Sequence, residues 1–249
     1  IIAKFSEELY MIFDYMILGN ELFQKSFFKA YEKEFLQLAE KGQTPKALYI
    51  GCSDSRVLPN LITGSAPGDL FVVRNIGNFV APYKPDEDFH STASAIEYAV
   101  SVLEVKNIIV CGHTKCGAIE AIHEKSCENN PELVHTKTWL TLGESAKSQA
   151  ILALGLKADK EVLYRLTEKL SVVSQLENLL TYPSVKKIQV LAEGSLFWSK
   201  VKAHDTKYVD VVNACLAELL AESGLSDTVV DISRIENANL IGAAMSVLS

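Results

Sequence analysis

The chain has 249 residues, with 24 lysines and arginines against 31 aspartates and glutamates, a formal net charge of −7 and 48% hydrophobic residues. This length fits one domain with extensions or two small domains, and the hydrophobic fraction excludes a disordered chain. The acidic balance argues against a nucleic-acid partner, because phosphate binding needs a basic surface. We expect no membrane partner either. The most apolar early stretch, 10–18, is short and contains Asp14, whereas a membrane span needs about 20 apolar residues.

The cysteine content indicates a reducing environment. Five cysteines are few and odd in number for a chain of this length, so a disulfide framework is not expected and a cytoplasmic location is. The N-terminal segment lacks the basic flank and the cleavage site of a signal peptide. The sequence begins with Ile1 rather than Met, so we expect the natural N-terminus to lie further upstream. Cys111, Cys127 and Cys215 are interpreted as small buried hydrophobic residues.

The first predicted element is a helix over 22–38. It carries five aromatic side chains at helical spacing, and Gly42 follows as a stop signal. We interpret it as a packing helix that docks on the core or on another subunit. It forms the main part of a predicted N-terminal helical arm, residues 1–42.

The next part of the chain alternates strands and helices. Three short apolar segments are typical of buried strands: 46–51, 70–74 and 107–111. An amphipathic helix is predicted over 91–105, with Ser91 as its N-cap. Another helix begins at Cys116. Strand, helix and strand at this spacing favour βαβ units and a parallel sheet, whose functional sites form beyond the carboxyl ends of the strands.

The remaining chain is predicted to continue this pattern. A long helix over 157–182 is closed by Pro183, and an edge strand over 188–192 follows. The tail is predicted to contain a helix, a strand and a second helix, over 209–221, 228–232 and 235–248. The predicted fold class is α/β, with a mainly parallel β-sheet core flanked by helices, the N-terminal helical arm and a C-terminal α/β extension. The predicted domains are 1–42, 43–204 and 205–249.

Two loops concentrate the reactive residue types. One is Cys52-Ser53-Asp54-Ser55-Arg56, and the other contains His113 and Cys116 between two glycines. Two thiolates and one imidazole form a suitable ligand set for Zn²⁺, and three protein ligands leave a fourth tetrahedral position open, as in catalytic zinc sites. The ligands come from two strand ends, which suits a site built on a rigid sheet.

Asp54 and Arg56 are two residues apart in the first loop. In a pocket, the arginine fork can fix the carboxylate and keep it ionised, so that it accepts a hydrogen bond from an attacking hydroxide. A simple loop salt bridge is the alternative. A phosphatase-like loop, with Cys52 as nucleophile and Arg56 as anion clamp, is disfavoured because Asp54 would repel the phosphate.

These residues resemble the β-class carbonic anhydrases. The similarity rests on five segments: CSDSR (52–56), GHTKCG (112–117), PGDLFVVRNIGNFV (67–80), SAIEYAVSVLEVKNIIVCGH (94–113) and, more moderately, LENLLTYPSV (176–185). The resemblance implies that Cys52, His113 and Cys116 bind one Zn²⁺ per chain and that Asp54 and Arg56 form an orienting dyad. It implies an enzyme that reversibly hydrates carbon dioxide to bicarbonate and a proton.

The family has a plant-like variant with an open site lined by a Gln, a Phe and a Tyr. Gln43, Phe71 and Tyr98 fall at the matching positions, so the resemblance implies that Gln43 binds bicarbonate and that the two rings form an apolar wall for carbon dioxide. Alternatively, Gln43 is a polar loop residue and the two aromatic residues belong to the core.

The resemblance also implies a homodimer or a multiple of dimers. Because two thiolates donate more charge to zinc than three imidazoles do, we expect activity that rises on the alkaline side of neutrality. The competing interpretation is a catalytically silent, zinc-bound scaffold or binding subunit of the same fold.

Overall fold

A computed structural model describes residues 7–186, 190–193 and 240–247, with side chains over 13–185. The chain forms two compact units, residues 1–44 with 66–68 and residues 45–65 with 69–249. The predicted domain boundaries stay a prediction, since most of 205–249 lies outside the described residues. Within the described part of the chain, no helix combines the length and the apolarity needed to cross a membrane.

The first unit is helical. It contains α1 (Glu7–Lys25), α2 (Phe27–Ala30) and α3 (Glu32–Lys41). The predicted continuous helix over 22–38 is therefore wrong in detail. The Ser26 hydroxyl donates a hydrogen bond to the Leu22 carbonyl at the first break, and this type of bond bends helices. The stop at Gly42 is found, with Gly42 at φ +81° directly after α3.

The second unit contains the sheet and the remaining helices. Its elements in chain order are β1 (Ala47–Cys52), α4 (Pro59–Thr63), β2 (Leu70–Asn75), α5 (Ser91–Ser101), β3 (Asn107–His113), α6 (Gly117–Glu124), α7 (Val134–Leu140), α8 (Glu144–Leu154), α9 (Lys160–Leu180), α10 (Pro183–Lys186), β4 (Val190–Glu193) and β5 (Leu240–Val247). Short 3₁₀ turns lie at 76–78, 131–133 and 141–143.

The sheet has the strand order β2-β1-β3-β5-β4. The strands β2, β1 and β3 are parallel, whereas β5 runs antiparallel to both β3 and β4. The register pairs Cys52 with Asn75 and Gly51 with Cys111. The carboxyl ends of the three parallel strands therefore meet at one edge, and the predicted α/β class with a mainly parallel core is confirmed.

The main core lies between the sheet and two helices. Alternate residues of β1 and β3 point into it and are fully buried: Leu48, Ile50, Ile108 and Val110. They pack against Ile96, Ala99 and Val100 of α5 and against Val172, Leu176 and Leu179 of α9. Burying one such side chain contributes about 1.5–3 kcal/mol, so this layer holds the strand ends in place.

Several sequence predictions need correction. The helix predicted over 235–248 is wrong over 240–247, where β5 forms; a short apolar run fits either a buried helix or a strand by periodicity alone, and β3 offers it an open edge. The N-cap of α5 is His90 rather than Ser91. Pro183 begins the short α10 instead of only closing α9. The edge strand near 188–192 is found as β4. The predicted elements over 209–221 and 228–232 lie outside the described residues.

Candidate metal centre

Three predicted ligands converge at the carboxyl edge of the sheet. Cys52 is the last residue of β1, His113 is the last residue of β3, and Cys116 is the N-cap of α6. Their donor atoms all lie within 4.8 Å of one another, and all three residues are buried. Two parallel neighbouring strands, followed by one turn, thus bring together residues that are 61 positions apart in the sequence (Cys52 and His113).

The tautomer of the His113 imidazole suits metal binding. Its Nδ1 lies 3.0 Å from the Thr114 carbonyl oxygen, which can only accept, so Nδ1 carries the proton and Nε2 carries the lone pair. Nε2 is buried without a hydrogen-bond partner in the structure. Since buried polar atoms are normally partnered, this orphaned nitrogen beside two thiols fits a zinc ion, with a nitrogen and two sulfurs as ligands.

The two thiols form one coupled pair. The interaction between the two neighbouring thiols lowers the pKa of Cys52 and raises that of Cys116. The backbone N–H groups of Asp54 and Gly77 also lower the pKa of the Cys52 thiol. Those of Ala118 and Ile119, in the first turn of α6, act in the same direction on the Cys116 thiol. These N–H groups favour thiolate sulfur, the form that binds metals.

Gly77 is required at its position beside Cys52. Its φ is +76°, a conformation that side chains other than hydrogen rarely allow. A Cβ there would lie 2.8 Å from Cζ of Phe79 and 2.9 Å from Cβ of Ala118. Only glycine therefore fits this position without moving the core beneath the site.

Asp54 and Arg56 form the expected pair. Arg56 Nε donates to Asp54 Oδ1 over 2.9 Å, and Nη2 donates to Oδ2 over 2.8 Å. The Arg56 guanidinium holds the pKa of the Asp54 carboxyl well below its usual range. Asp54 Oδ2 lies 3.9 Å from His113 Nε2. An ionised carboxylate, which only accepts hydrogen bonds, is thereby fixed next to the metal position.

Arg74, on β2, supports the first loop and was not singled out by the sequence analysis. Its Nε donates to the Cys52 carbonyl over 2.9 Å, and its Nη2 donates to the Asp54 carbonyl over 2.6 Å. The only available signal was its place at the end of a predicted strand. Because the register places β2 beside β1, the guanidinium spans the loop backbone.

Glu168, on α9, supports the second loop and was also missed. Its Oε1 accepts a hydrogen bond from the Cys116 backbone N–H over 3.1 Å, and its Oε2 accepts one from Arg165 Nη1 over 3.1 Å. Glu168 is buried, with 5% of its surface exposed. A charged residue between the apolar positions of the long helix predicted over 157–182 was the signal that could have identified it.

Two of the three predicted substrate contacts, Phe71 and Tyr98, lie away from the ligands of their own chain. Phe71 and Tyr98 contact each other, with ring centroids 5.9 Å apart. Phe71 pairs with Leu48, four positions before Cys52 along β1, so the backbone at Phe71 lies about 13 Å along the strand direction from that of Cys52. Gln43 is an exposed residue of the first unit. The roles of all three stay predictions.

Comparisons with known proteins agree with this site. The family model described as carbonic anhydrase matches residues 47–197, more than half of the chain. A carbonic anhydrase from Pseudomonas aeruginosa is 40% identical over 181 residues, which cover 73% of this chain and 78% of that protein.

Two solved structures share the fold. The β-carbonic anhydrase CcaA matches with a TM-score of 0.65 and 36% identity, over 71% of this chain and 77% of that one. One of two tetrameric β-carbonic anhydrases from Sordaria macrospora matches with a TM-score of 0.61 and 31% identity, over 71% of this chain and 84% of that one. With a buried Cys-His-Cys group, a carboxylate–arginine pair beside it and these similarities, the chain belongs to the β-class of the carbonic anhydrase family.

Proposed function

We propose that this chain catalyses the zinc-dependent, reversible hydration of carbon dioxide to bicarbonate and a proton. The observation that carries the proposal is the meeting of two buried thiols with an unpartnered imidazole nitrogen, next to a carboxylate that an arginine keeps ionised. Membership of the β-carbonic anhydrase family supports it. The cofactor is zinc, since the donor set and its burial fit that ion.

Each residue of the site has one task in this proposal. Cys52, His113 and Cys116 would hold the ion through two thiolates and one imidazole. When bound, zinc supplies Lewis acidity, which makes hydroxide available from water near neutral pH. Asp54 accepts the hydrogen bond of the attacking hydroxide and aims its lone pair at carbon dioxide, while Arg56 keeps that carboxylate ionised and in place. The released proton passes to solvent or buffer.

Phe71 and Tyr98 support a dimer in which one copy completes the site of the other. The pair lies far from the ligands of its own chain, and Tyr98 keeps 45% of its surface exposed. We infer that the two rings form the apolar wall for carbon dioxide in a neighbouring copy and that Gln43 donates a hydrogen bond to bicarbonate, as in the plant-like open variant. The tetrameric assembly of the Sordaria macrospora relatives supports a multiple of dimers.

We also propose a reducing, cytoplasmic environment. The cysteines of the described residues are free thiols: Cys52, Cys111, Cys116 and Cys127. Oxidation of the close Cys52–Cys116 pair would remove two zinc ligands at once, so the activity depends on a compartment that keeps thiols reduced.

Stopped-flow carbon dioxide hydration across pH, with zinc content measured on the same samples, tests the proposal. We expect about one zinc per chain and turnover that rises on the alkaline side of neutrality. The Asp54→Ala variant should keep its zinc and lose about 100-fold in turnover, because the hydroxide is no longer oriented. The matched control, Asp88→Ala, removes an exposed loop carboxylate and should behave as wild type. Zinc binding without turnover at any pH would instead identify a silent scaffold.

A further inference from the structure

The backbone N–H of Cys116 needs a partner from outside its own helix. Cys116 is the N-cap of α6, and the N–H groups at a helix start have no partner within the helix. In a capping box, a Glu or Gln three residues after the N-cap satisfies this N–H. The residue at that place here is Ile119. Glu168, 52 residues later in the sequence, accepts the hydrogen bond instead, over 3.1 Å.

The same peptide group is held on its other side by the dyad. The carbonyl of Lys115 and the N–H of Cys116 belong to one planar peptide unit. Arg56 Nη2 donates to that carbonyl over 3.0 Å, while Glu168 accepts from the N–H. Lys115 has φ +53°, which is uncommon for a residue with a side chain. The two charged groups thus hold the peptide that joins Lys115, with its uncommon φ, to the predicted zinc ligand Cys116.

Helix α9 is docked by several contacts other than those of Glu168. Further along the helix, Gln175 Oε1 accepts from the Val80 N–H over 2.7 Å, and Asn178 Nδ2 donates to the Val80 carbonyl over 2.7 Å. Apolar residues of the same helix, such as Leu176, fill the main core. A buried carboxylate is costly unless it is paired, so its use here points to a purpose beyond packing.

We propose that Glu168 is a positioning residue for the zinc site, acting through the Lys115–Cys116 peptide. By fixing this peptide plane it sets the direction of the Cys116 Cα–Cβ bond, and thereby the sulfur, and it keeps the carbonyl acceptor of Arg56 in place. The pairing of Glu168 with Arg165 holds the carboxylate itself. This inference rests on the proposed assignment of Cys116 as a zinc ligand.

Metal binding by full-length variants tests the role of Glu168. Zinc affinity is measured by competition with a chromophoric chelator, and the thiolate-to-cobalt absorption is recorded after substitution with Co²⁺. Glu168→Leu should weaken zinc binding by about 10–100-fold, the usual effect of losing a group that orients a ligand, and should shift the cobalt spectrum. Glu168→Gln keeps an oxygen acceptor and should restore most of the affinity and the spectrum. The matched control is Glu161→Gln, an exposed position of the same helix.

Wild-type affinity and spectrum in Glu168→Leu would overturn the inference, and so would equal damage in Glu168→Gln and Glu168→Leu. If Glu168→Leu does not fold, Glu168→Asp replaces it; its shorter side chain keeps the charge but withdraws the acceptor, so it should bind zinc more weakly than Glu168→Gln does, and the opposite order would overturn the inference. Cys116→Ala separates the two proposals. Zinc binding that is independent of Cys116 refutes the proposed ligand set, whereas dependence on Cys116 but not on Glu168 refutes only the positioning role.

Discussion

The two loops that carry the predicted zinc ligands are supported in different ways. The loop after β1 is held by groups in it and directly beside it, because Arg56 binds Asp54 two residues away, and Arg74 of the adjacent strand binds two of its carbonyls. The loop after β3 depends on the distant α9, whose Glu168 accepts the Cys116 N–H. Its own residues supply a strained turn at Lys115 and an N-cap without a capping box.

This difference separates local from long-range support within one site. Groups in or beside the first loop fix it as soon as β1 and β2 pair. The second loop reaches its geometry only when α9 packs against the sheet. We therefore expect changes in the first loop to affect mainly chemistry, and changes in α9 to affect mainly the ordering of Cys116.

The largest effect is expected when a ligand from either loop is removed. Cys116→Ala leaves two ligands and an open site, and should lower carbon dioxide hydration by about a thousand-fold or more, which corresponds to about 4 kcal/mol of lost catalysis. Zinc content and turnover are measured on the same preparation. Cys127→Ala, which removes a half-buried thiol outside the ligand group, is the control. Full activity in Cys116→Ala would contradict the hypothesis that the two loops supply ligands to one metal ion.

Removing the core beneath both loops should reduce their stability together. Phe79 is fully buried, in the same apolar cluster as Cys52 and Cys116. Phe79→Ala should lower the free energy of unfolding by about 3–5 kcal/mol, through lost transfer energy and the cavity left behind. Urea unfolding provides the measurement. Phe89→Ala, at a fully exposed loop position, should leave the midpoint unchanged, and an equal loss in both variants would count against this core.

The support of the first loop can be tested at Arg74. Arg74→Met leaves the carbonyls of Cys52 and Asp54 without the guanidinium and should lower zinc affinity or turnover by about 10-fold, the low end for a group that orients ligands. Chelator competition and stopped-flow assays measure the two effects. Lys46→Met, which removes an exposed cation paired with Asp69, is matched in charge and should change neither. An unchanged zinc affinity and turnover in Arg74→Met would show that the other contacts of the loop, Arg56 among them, hold it without this guanidinium.

The smallest effect is expected at the start of α9. Asp159 is the N-cap of this helix, and its Oδ1 accepts from the Val162 N–H over 3.1 Å. Asp159→Ala should lower the free energy of unfolding by about 1 kcal/mol, with unchanged zinc affinity, because Glu168 lies more than two turns further along the helix. Thermal unfolding with and without a chelator measures both. A weakened zinc site would mean that the ordering of Cys116 depends on the whole helix rather than on Glu168.

The sequence allowed the local features to be predicted. Apolar strands followed by Cys52 and His113 indicated a site at the strand ends, and the spacing of Asp54 and Arg56 indicated a pair. Each of these predictions depends on residues close together in the chain or on the general geometry of parallel sheets. The β5 strand could not be predicted in the same way, since an eight-residue apolar run fits a helix as well as a strand.

By itself, the amino-acid sequence determined the α/β class and predicted the ligand set and the Asp54–Arg56 pair, because periodicity and short motifs encode local geometry and donor chemistry. Only the tertiary structure decided which distant groups hold that chemistry in place. Arg74 reaches the first loop through strand register, Glu168 reaches Cys116 through helix packing, and Phe71 with Tyr98 lies away from the ligands of its own chain. The physical reason is that hydrogen bonds act over about 3 Å in space, whatever the separation of their partners along the chain.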